Sequence, residues 1–184
     1  MRTSTKFVTN ISLVFFGLLI AALLLEVLVR VFLQPHSYTN FYEDHEQFGR
    51  FFKPGQKGYY IEMGHNTYIE INSRGLRDEE HSYEKSRKVF RVLVLGDSFG
   101  AAFQVPLEDT FHKVTQRLLN QMKAGNKYKI INGSFPGWGT SNELLFYDIE
   151  GYKYEPDLVL LIFFPGNDVL DNAQIKKVEQ KQSK

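Results

Sequence analysis

Three short stretches of the 184-residue chain hold the side chains best suited to covalent chemistry. Gly96-Asp97-Ser98-Phe99 offers a serine hydroxyl, Asn132-Gly133-Ser134-Phe135-Pro136-Gly137 a glycine-bearing loop, and Pro165-Gly166-Asn167-Asp168 a side-chain amide. A serine hydroxyl attacks a carbonyl only when a base takes its proton and donors already face the developing oxyanion. Each stretch is weak alone, because Gly-Asp-Ser is usually a turn and Gly-Asn-Asp is ordinary loop chemistry. In that plainer reading Gly137 is a turn glycine and Asn167 caps the segment after it. Asp97 is read as ordering the Ser98 loop, and Trp138 as either pocket lining or a buried aromatic. Order, spacing and a shared position in the fold give the three stretches their weight.

That position follows from the elements around them. Val89 to Leu95 is an apolar strand interrupted only by Arg91. From about Leu107 to Met122 the spacing of Phe111, Val114, Leu118, Leu119 and Met122 predicts an amphipathic helix, with Asp109 as its cap. Tyr128 to Ile131 is a second strand. Thr140-x-x-Glu143 resembles a capping box that opens a helix running to about Gly151. Asp157 to Phe164 is a third apolar strand. Apolar strands alternating with amphipathic helices predict an α/β fold with a doubly wound parallel sheet. Ligands bind such sheets at the carboxyl ends of their strands, where all three stretches fall.

Four segments are expected. Residues 1–10 are polar and basic. Residues 11–33 are almost wholly apolar and long enough for one transmembrane helix. A cleaved signal peptide and a buried core helix are the competing readings; no small-residue cleavage site follows, which favours an uncleaved anchor. Basic residues before the span and acidic ones after it (Glu43, Asp44, Glu46) place the N-terminus in the cytoplasm and the remainder outside it. Residues 34–88 read as a separate, mostly irregular membrane-proximal module. Within it Tyr59–Met63 and Thr67–Ile71 form a hairpin about Gly64-His65-Asn66, and Asn72 to Asp78 a turn. Residues 89–184 are the α/β domain, ending in a polar tail from Ile175.

Composition narrows the function. A net charge of +1 with 23% charged residues gives no reason to expect a nucleic-acid partner, and 15% aromatic residues argue for a packed core. Cysteine is absent, which removes disulfides, thiolate metal sites and a thiol nucleophile. No cluster of His, Asp and Glu has ligand spacing, so neither a metal nor another cofactor is expected.

Over roughly Val89 to Asp171 the chain resembles the SGNH (GDSL) serine hydrolases. Leu95-Gly96-Asp97-Ser98-Phe99 is similar to their first block, with phenylalanine in place of the usual leucine, and the resemblance makes Ser98 the nucleophile. Gly137, within Asn132 to Gly139, is similar to the second-block glycine whose N–H points into the oxyanion hole. Asn167 matches the third-block asparagine, whose amide donates to the same oxyanion; Pro165 stands where that block usually has glycine. The turn Asn72-Ser73-Arg74-Gly75-Leu76-Arg77-Asp78 and the anchor also resemble membrane-attached bacterial members. The resemblance implies a three-layer α/β/α domain acting through an acyl-enzyme on an ester-bearing small molecule or an O-acylated glycan, with transfer to a sugar as a close relative of hydrolysis.

The family's base is a histidine in a late Asp-x-x-His block. His36, His45, His65, His81 and His112 all precede Gly137, and none matches it. His65 is read as a hairpin-turn residue and His112 as a solvated or packing residue. The expectation is a domain incomplete at its C-terminus, with an exposed sheet edge and negligible turnover. The alternative from another class is a membrane-tethered, non-catalytic module that binds a glycan or a protein.

Overall fold

The computed structural model describes residues 2–32, 39–62, 64–122, 125, 127–166, 168, 169 and 172, including helix side chains from Asn10 to Val29. The chain divides into two compact units, Met1–Ser37 and Tyr38–Lys184.

The first unit is one helix, α1 (Arg2–Phe32). Its stretch Asn10–Val29 spans 20 residues and is long and apolar enough to cross a membrane. Every described side chain there is exposed within this unit.

The second unit opens with two antiparallel hairpins. One pairs β1 (Tyr42–His45) with β2 (Gly49–Phe52), and the other pairs β3 (Lys57–Glu62) with β4 (His65–Glu70). A three-stranded parallel sheet follows in the order β6-β5-β7, from β5 (Val89–Leu95), β6 (Lys127–Asn132) and β7 (Leu158–Leu161). The helices are α2 (Ser98–Ala101), α3 (Phe111–Gln121) and α4 (Thr140–Ile149). The expected parallel sheet is present, and β5 matches its expected bounds.

The two faces of β5 pack differently. Leu93 and Leu95, with Ile131 of β6, join an aromatic cluster from the first hairpin and the later loops: Phe48, Phe51, Phe52, Phe135, Trp138 and Phe146. Phe51 stacks on Trp138 at 5.7 Å and Phe52 on Phe103 at 5.3 Å. Val92 and Val94, with Ile130, form the opposite face and meet Phe90, Leu119 and Ile162. The described part of residues 34–88 contributes Phe48, Phe51 and Phe52 to the aromatic cluster. Trp138 is a core residue, 3% exposed.

Four further expectations are corrected. The second hairpin turns one step earlier than expected: Glu62 pairs with His65, which places His65 and Asn66 in β4. Asp109 does not cap α3. Thr110 occupies that position, with its hydroxyl on the Leu107 carbonyl at 2.6 Å. Thr140 and Glu143 form no capping box, because Gly139 is the N-cap of α4 and Glu143 points into the protein. The apolar stripe of α3 is also not its buried face. Phe111, Leu118 and Met122 are exposed while His112 and Lys113 are buried.

The last correction has a physical cause at the outer edge of β6. There Ile130 N–H donates to Gln116 Oε1 at 2.7 Å and Tyr128 N–H to Asn120 Oδ1 at 2.8 Å. Asn120 Nδ2 donates back to the Tyr128 carbonyl at 2.9 Å, and Asn132 N–H donates to Asp78 Oδ2 at 2.9 Å. An open strand edge carries unpaired backbone groups. Helix α3 turns Gln116 and Asn120 inward to satisfy two of them, and Asp78 takes the third.

Candidate active site

Parallel pairing sets the site. Val94 is in register with Asn132 and Leu95 with Leu161, so β5, β6 and β7 release their loops at one end of the sheet. Three bonds tie the loops together beyond the strands: Gly133 N–H to Val94 O at 2.8 Å, Phe135 N–H to Gly96 O at 2.9 Å, and Ile162 N–H to Leu95 O at 2.8 Å.

Ser98 is exposed and is the first residue of α2, directly after buried Asp97. Asp97 Oδ1 accepts the Phe99 N–H at 2.9 Å, which fixes the turn from strand to helix. Its role in ordering this loop is visible in that bond. A Cβ built on Gly100 would lie 2.3 Å from Ser134 Oγ, so only glycine lets α2 approach the β6 loop this closely. Asn132 holds both sides of that contact. Its Nδ2 donates to the Gly100 carbonyl at 3.0 Å and its Oδ1 accepts from Ser134 N–H at 3.1 Å.

The far end of α2 is held by the Asn72–Asp78 turn. Arg77, 2% exposed, donates from Nη1 to the Ala101 carbonyl at 2.6 Å and also bonds the carbonyls of Ala102 and Val105. Ala102 sits in the left-handed region at φ 51°, an uncommon place for a side chain with a Cβ. Its carbonyl is one of those that Arg77 binds.

Beside Arg77, Asp78 anchors a buried ionic cluster. Lys113 Nζ lies 2.6 Å from Oδ1, His81 Nε2 lies 2.9 Å from Oδ2, and His112 Nε2 is 3.6 Å from Oδ1. Burial alone raises the Asp78 pKa. The close approach of His112 and His81 and the charge of Lys113 outweigh that and hold it far below the usual carboxylate range. His112 is thus a packing residue and not a solvated one.

Gly137 lies in a turn closed by Trp138 N–H on the Phe135 carbonyl at 3.2 Å. Pro136 and Gly137, with Gly137 at φ 81°, match the proline-glycine preference of a type II turn. That turn bond does not use the Gly137 N–H, and no side chain crowds Gly137 within 4 Å. Asn167 lies outside the described residues. The described residues on either side of it are bonded to each other: Phe164 N–H donates to Asp168 Oδ2 at 2.7 Å and Asp168 N–H to the Phe164 carbonyl at 3.1 Å.

Ser98 opens into a cleft of about 380 Å³ whose lining also includes Tyr42, Tyr60, Glu62, His65, Phe103 and Pro136. The structure brings Ser98 and the neighbour of Gly137 to one cavity. It adds a wall from β1, β3 and β4, whose tyrosines the sequence allows for substrate contact but favours as packing residues, and His65, read as a hairpin-turn residue. Alternation in Lys57–Glu62 was the available signal, since it places Tyr60 and Glu62 on one face of β3. Tyr60 and Glu62 share a short hydrogen bond, and Thr67 Oγ1 donates to the Gln104 carbonyl at 3.1 Å, tying the hairpin to the Ser98 loop. His81 and His112 are taken up by Asp78, and His45 stacks on Phe48 at 4.5 Å. His65 is the histidine that lines the cleft among the described residues. No group of three metal-ligating side chains occurs among those residues.

No protein-family model matches the chain. A comparison with curated proteins finds similarity to an arylesterase of Vibrio mimicus, 34% identical over 94 residues. The match covers 51% of this chain and 46% of the arylesterase, so the chain spans about half the length of that relative. Over half of its length, this α/β chain is similar to an esterase.

Proposed function

We propose that the second unit carries a serine ester hydrolase site of the SGNH type. Ser98 is the nucleophile, and the Gly137 N–H and the Asn167 amide receive the oxyanion. The observation that carries this reading is the placement of an exposed serine at the carboxyl end of the central parallel strand, opening into a lined cleft, in a chain similar to an arylesterase. In this reading an ester carbonyl enters the cleft, Ser98 Oγ adds to it, and the alcohol leaves to give an acyl-enzyme. Preorganised donors at the oxyanion contribute about 3 kcal/mol each to such a step.

The substrate class is a carboxylic ester on a small molecule or a glycan. Aromatic faces from Tyr42, Tyr60 and Phe103 beside the Glu62 carboxylate suit a sugar or an aryl group better than a plain alkyl chain. Acyl transfer to a sugar hydroxyl uses the same acyl-enzyme. Helix α1 anchors the protein in a membrane, with the N-terminus cytoplasmic and the hydrolase unit on the outer side.

A fluorophosphonate probe tests the reading, because it reacts with an activated serine and not with an ordinary one. Labelling of the 184-residue chain that disappears in Ser98→Ala supports it. Absence of labelling favours the second reading, a tethered non-catalytic binding module. His65→Gln is the control for a base supplied by the hairpin. Steady turnover by this chain is expected to be negligible, since no histidine matches the family's late block. Ester hydrolysis that depends on Ser98 would overturn that expectation.

A further inference from the structure

Three buried carboxyl groups keep oxygens without hydrogen-bond partners among the described residues. Glu143, in the first turn of α4, is 0% exposed, and neither of its carboxyl oxygens has a hydrogen-bond partner among the described residues. Asp97 and Asp168 are equally buried. Each spends one oxygen on a loop N–H, at Phe99 and Phe164 respectively, and keeps the other buried and unpartnered. Both act electrostatically on Glu143, Asp168 more strongly than Asp97, and no basic side chain is among the charges that do. The remaining titratable group facing the same groove is Tyr147, on α4 itself.

A second set of contacts brings the start of α4 to the segment after the asparagine loop. Asn172 Oδ1 accepts the Ser141 N–H at 3.0 Å, and Asn172 Nδ2 donates to Thr140 Oγ1 at 2.7 Å. Glu143 lies one turn further along that helix, within electrostatic reach of Asp168.

Burying a lone carboxylate is costly, and burying three together without a cation is costlier still. The economical arrangement keeps one proton among them. A protonated carboxyl group has an O–H to donate, and a buried carboxylate has an acceptor to offer.

We infer that Glu143 is a neutral acid whose O–H donates to the free Oδ1 of Asp168, clamping the Asn167 loop to α4. Glu143 is then a positioning residue for the oxyanion donor, a role that rests on the serine hydrolase reading. Its charge state gates the clamp: ionisation removes the donor and adds a third negative charge to the same enclosed space. Burial, then Asp168, then Asp97 push its pKa up to about 7, so the clamp opens as the pH rises through neutrality.

Two measurements on the full 184-residue chain test this. The first follows the glutamate side-chain carboxyl carbons by 13C NMR as a function of pH, with Glu143→Gln to assign the signal. A resonance that titrates near neutrality is expected; titration in the ordinary glutamate range overturns the inference. The second compares the pH profile of fluorophosphonate labelling at Ser98. Wild type is expected to fall roughly tenfold relative to Glu143→Gln between pH 6 and 9. The amide keeps a donor at every pH and carries no charge. Parallel profiles overturn the positioning role, and so does a Glu143→Gln chain that fails to fold, since a neutral isostere is what the inference requires there. If wild-type Ser98 is not labelled at any pH, the hydrolase reading fails and the positioning role falls with it, while the NMR titration still decides where the proton sits.

Discussion

The two outer strands of the parallel sheet end at very different borders. Beside β6 every outward backbone N–H from Tyr128 to Asn132 has a named acceptor, and the buried Lys113 ammonium pairs with the Asp78 carboxylate. Beside β7 no strand pairs among the described residues, and Leu158 and Val159 are 50% and 39% exposed. The buried acids nearest that border, Glu143 and Asp168, still have oxygens without partners. Polar groups close a sheet edge when their partners come from a helix on the same border. Where an apolar strand simply stops, they do not.

This contrast can be broken in four places. The largest effect is expected at Asp78. Asp78→Ala leaves Lys113, two histidines and the Asn132 N–H without their common partner and is expected to cost about 3 to 5 kcal/mol in urea denaturation. Because the folded-state pKa of Asp78 is depressed, its contribution is fully present above the unfolded value near 4 and is lost as the pH falls below it. A loss under about 1 kcal/mol would mean that the β6 border does not depend on the cluster.

Glu143 should show the opposite sign. Its folded pKa lies above the unfolded one, so wild type is expected to lose about 3 kcal/mol relative to Glu143→Gln as the pH rises from 4 to 8. Denaturation of the two proteins at both pH values checks this, and equal slopes would show that the acids beside β7 are already satisfied.

Asn120→Ala removes two bonds from the β6 edge and is expected to cost about 1 to 2 kcal/mol, with faster amide exchange at Tyr128. The smallest change in stability is expected from Val159→Lys, within about 0.5 kcal/mol, because its side chain is already half in water. The same substitution should reduce self-association in light scattering, since a charge on an open edge opposes strand pairing. A large destabilisation there would mean that β7 is not an open border.

The sequence was informative where apolar runs were uninterrupted. Val89–Leu95 could be read as a strand despite Arg91, and the three candidate loops lie where the strands end. It misled where polar side chains face inward. The spacing of Phe111, Leu118 and Met122 predicts a buried stripe, but α3 serves a strand edge through Gln116 and Asn120, and that need leaves no mark on hydrophobic periodicity. Glu143 was read as a cap for a related reason: Thr-x-x-Glu fits a capping box whether the acid turns back to the backbone or down into the protein. The hairpin of Tyr42–His45 and Gly49–Phe52 was missed because its aromatic residues pair with distant loops, not with each other in a recognisable alternation.

Arg77 has a bearing on how this protein can be cut and inherited. Two carbonyls that end the serine-bearing helix, and a third in the loop after it, are held by a guanidinium contributed from 24 to 28 residues earlier in the chain. A polypeptide begun at Val89 would contain every residue assigned to the chemistry and still lack what shapes the loop displaying Ser98. The α/β part is therefore not a transferable cassette. Exchanging it between relatives should succeed only when the arginine turn travels with it, and duplication of the sheet alone would yield a serine without its setting.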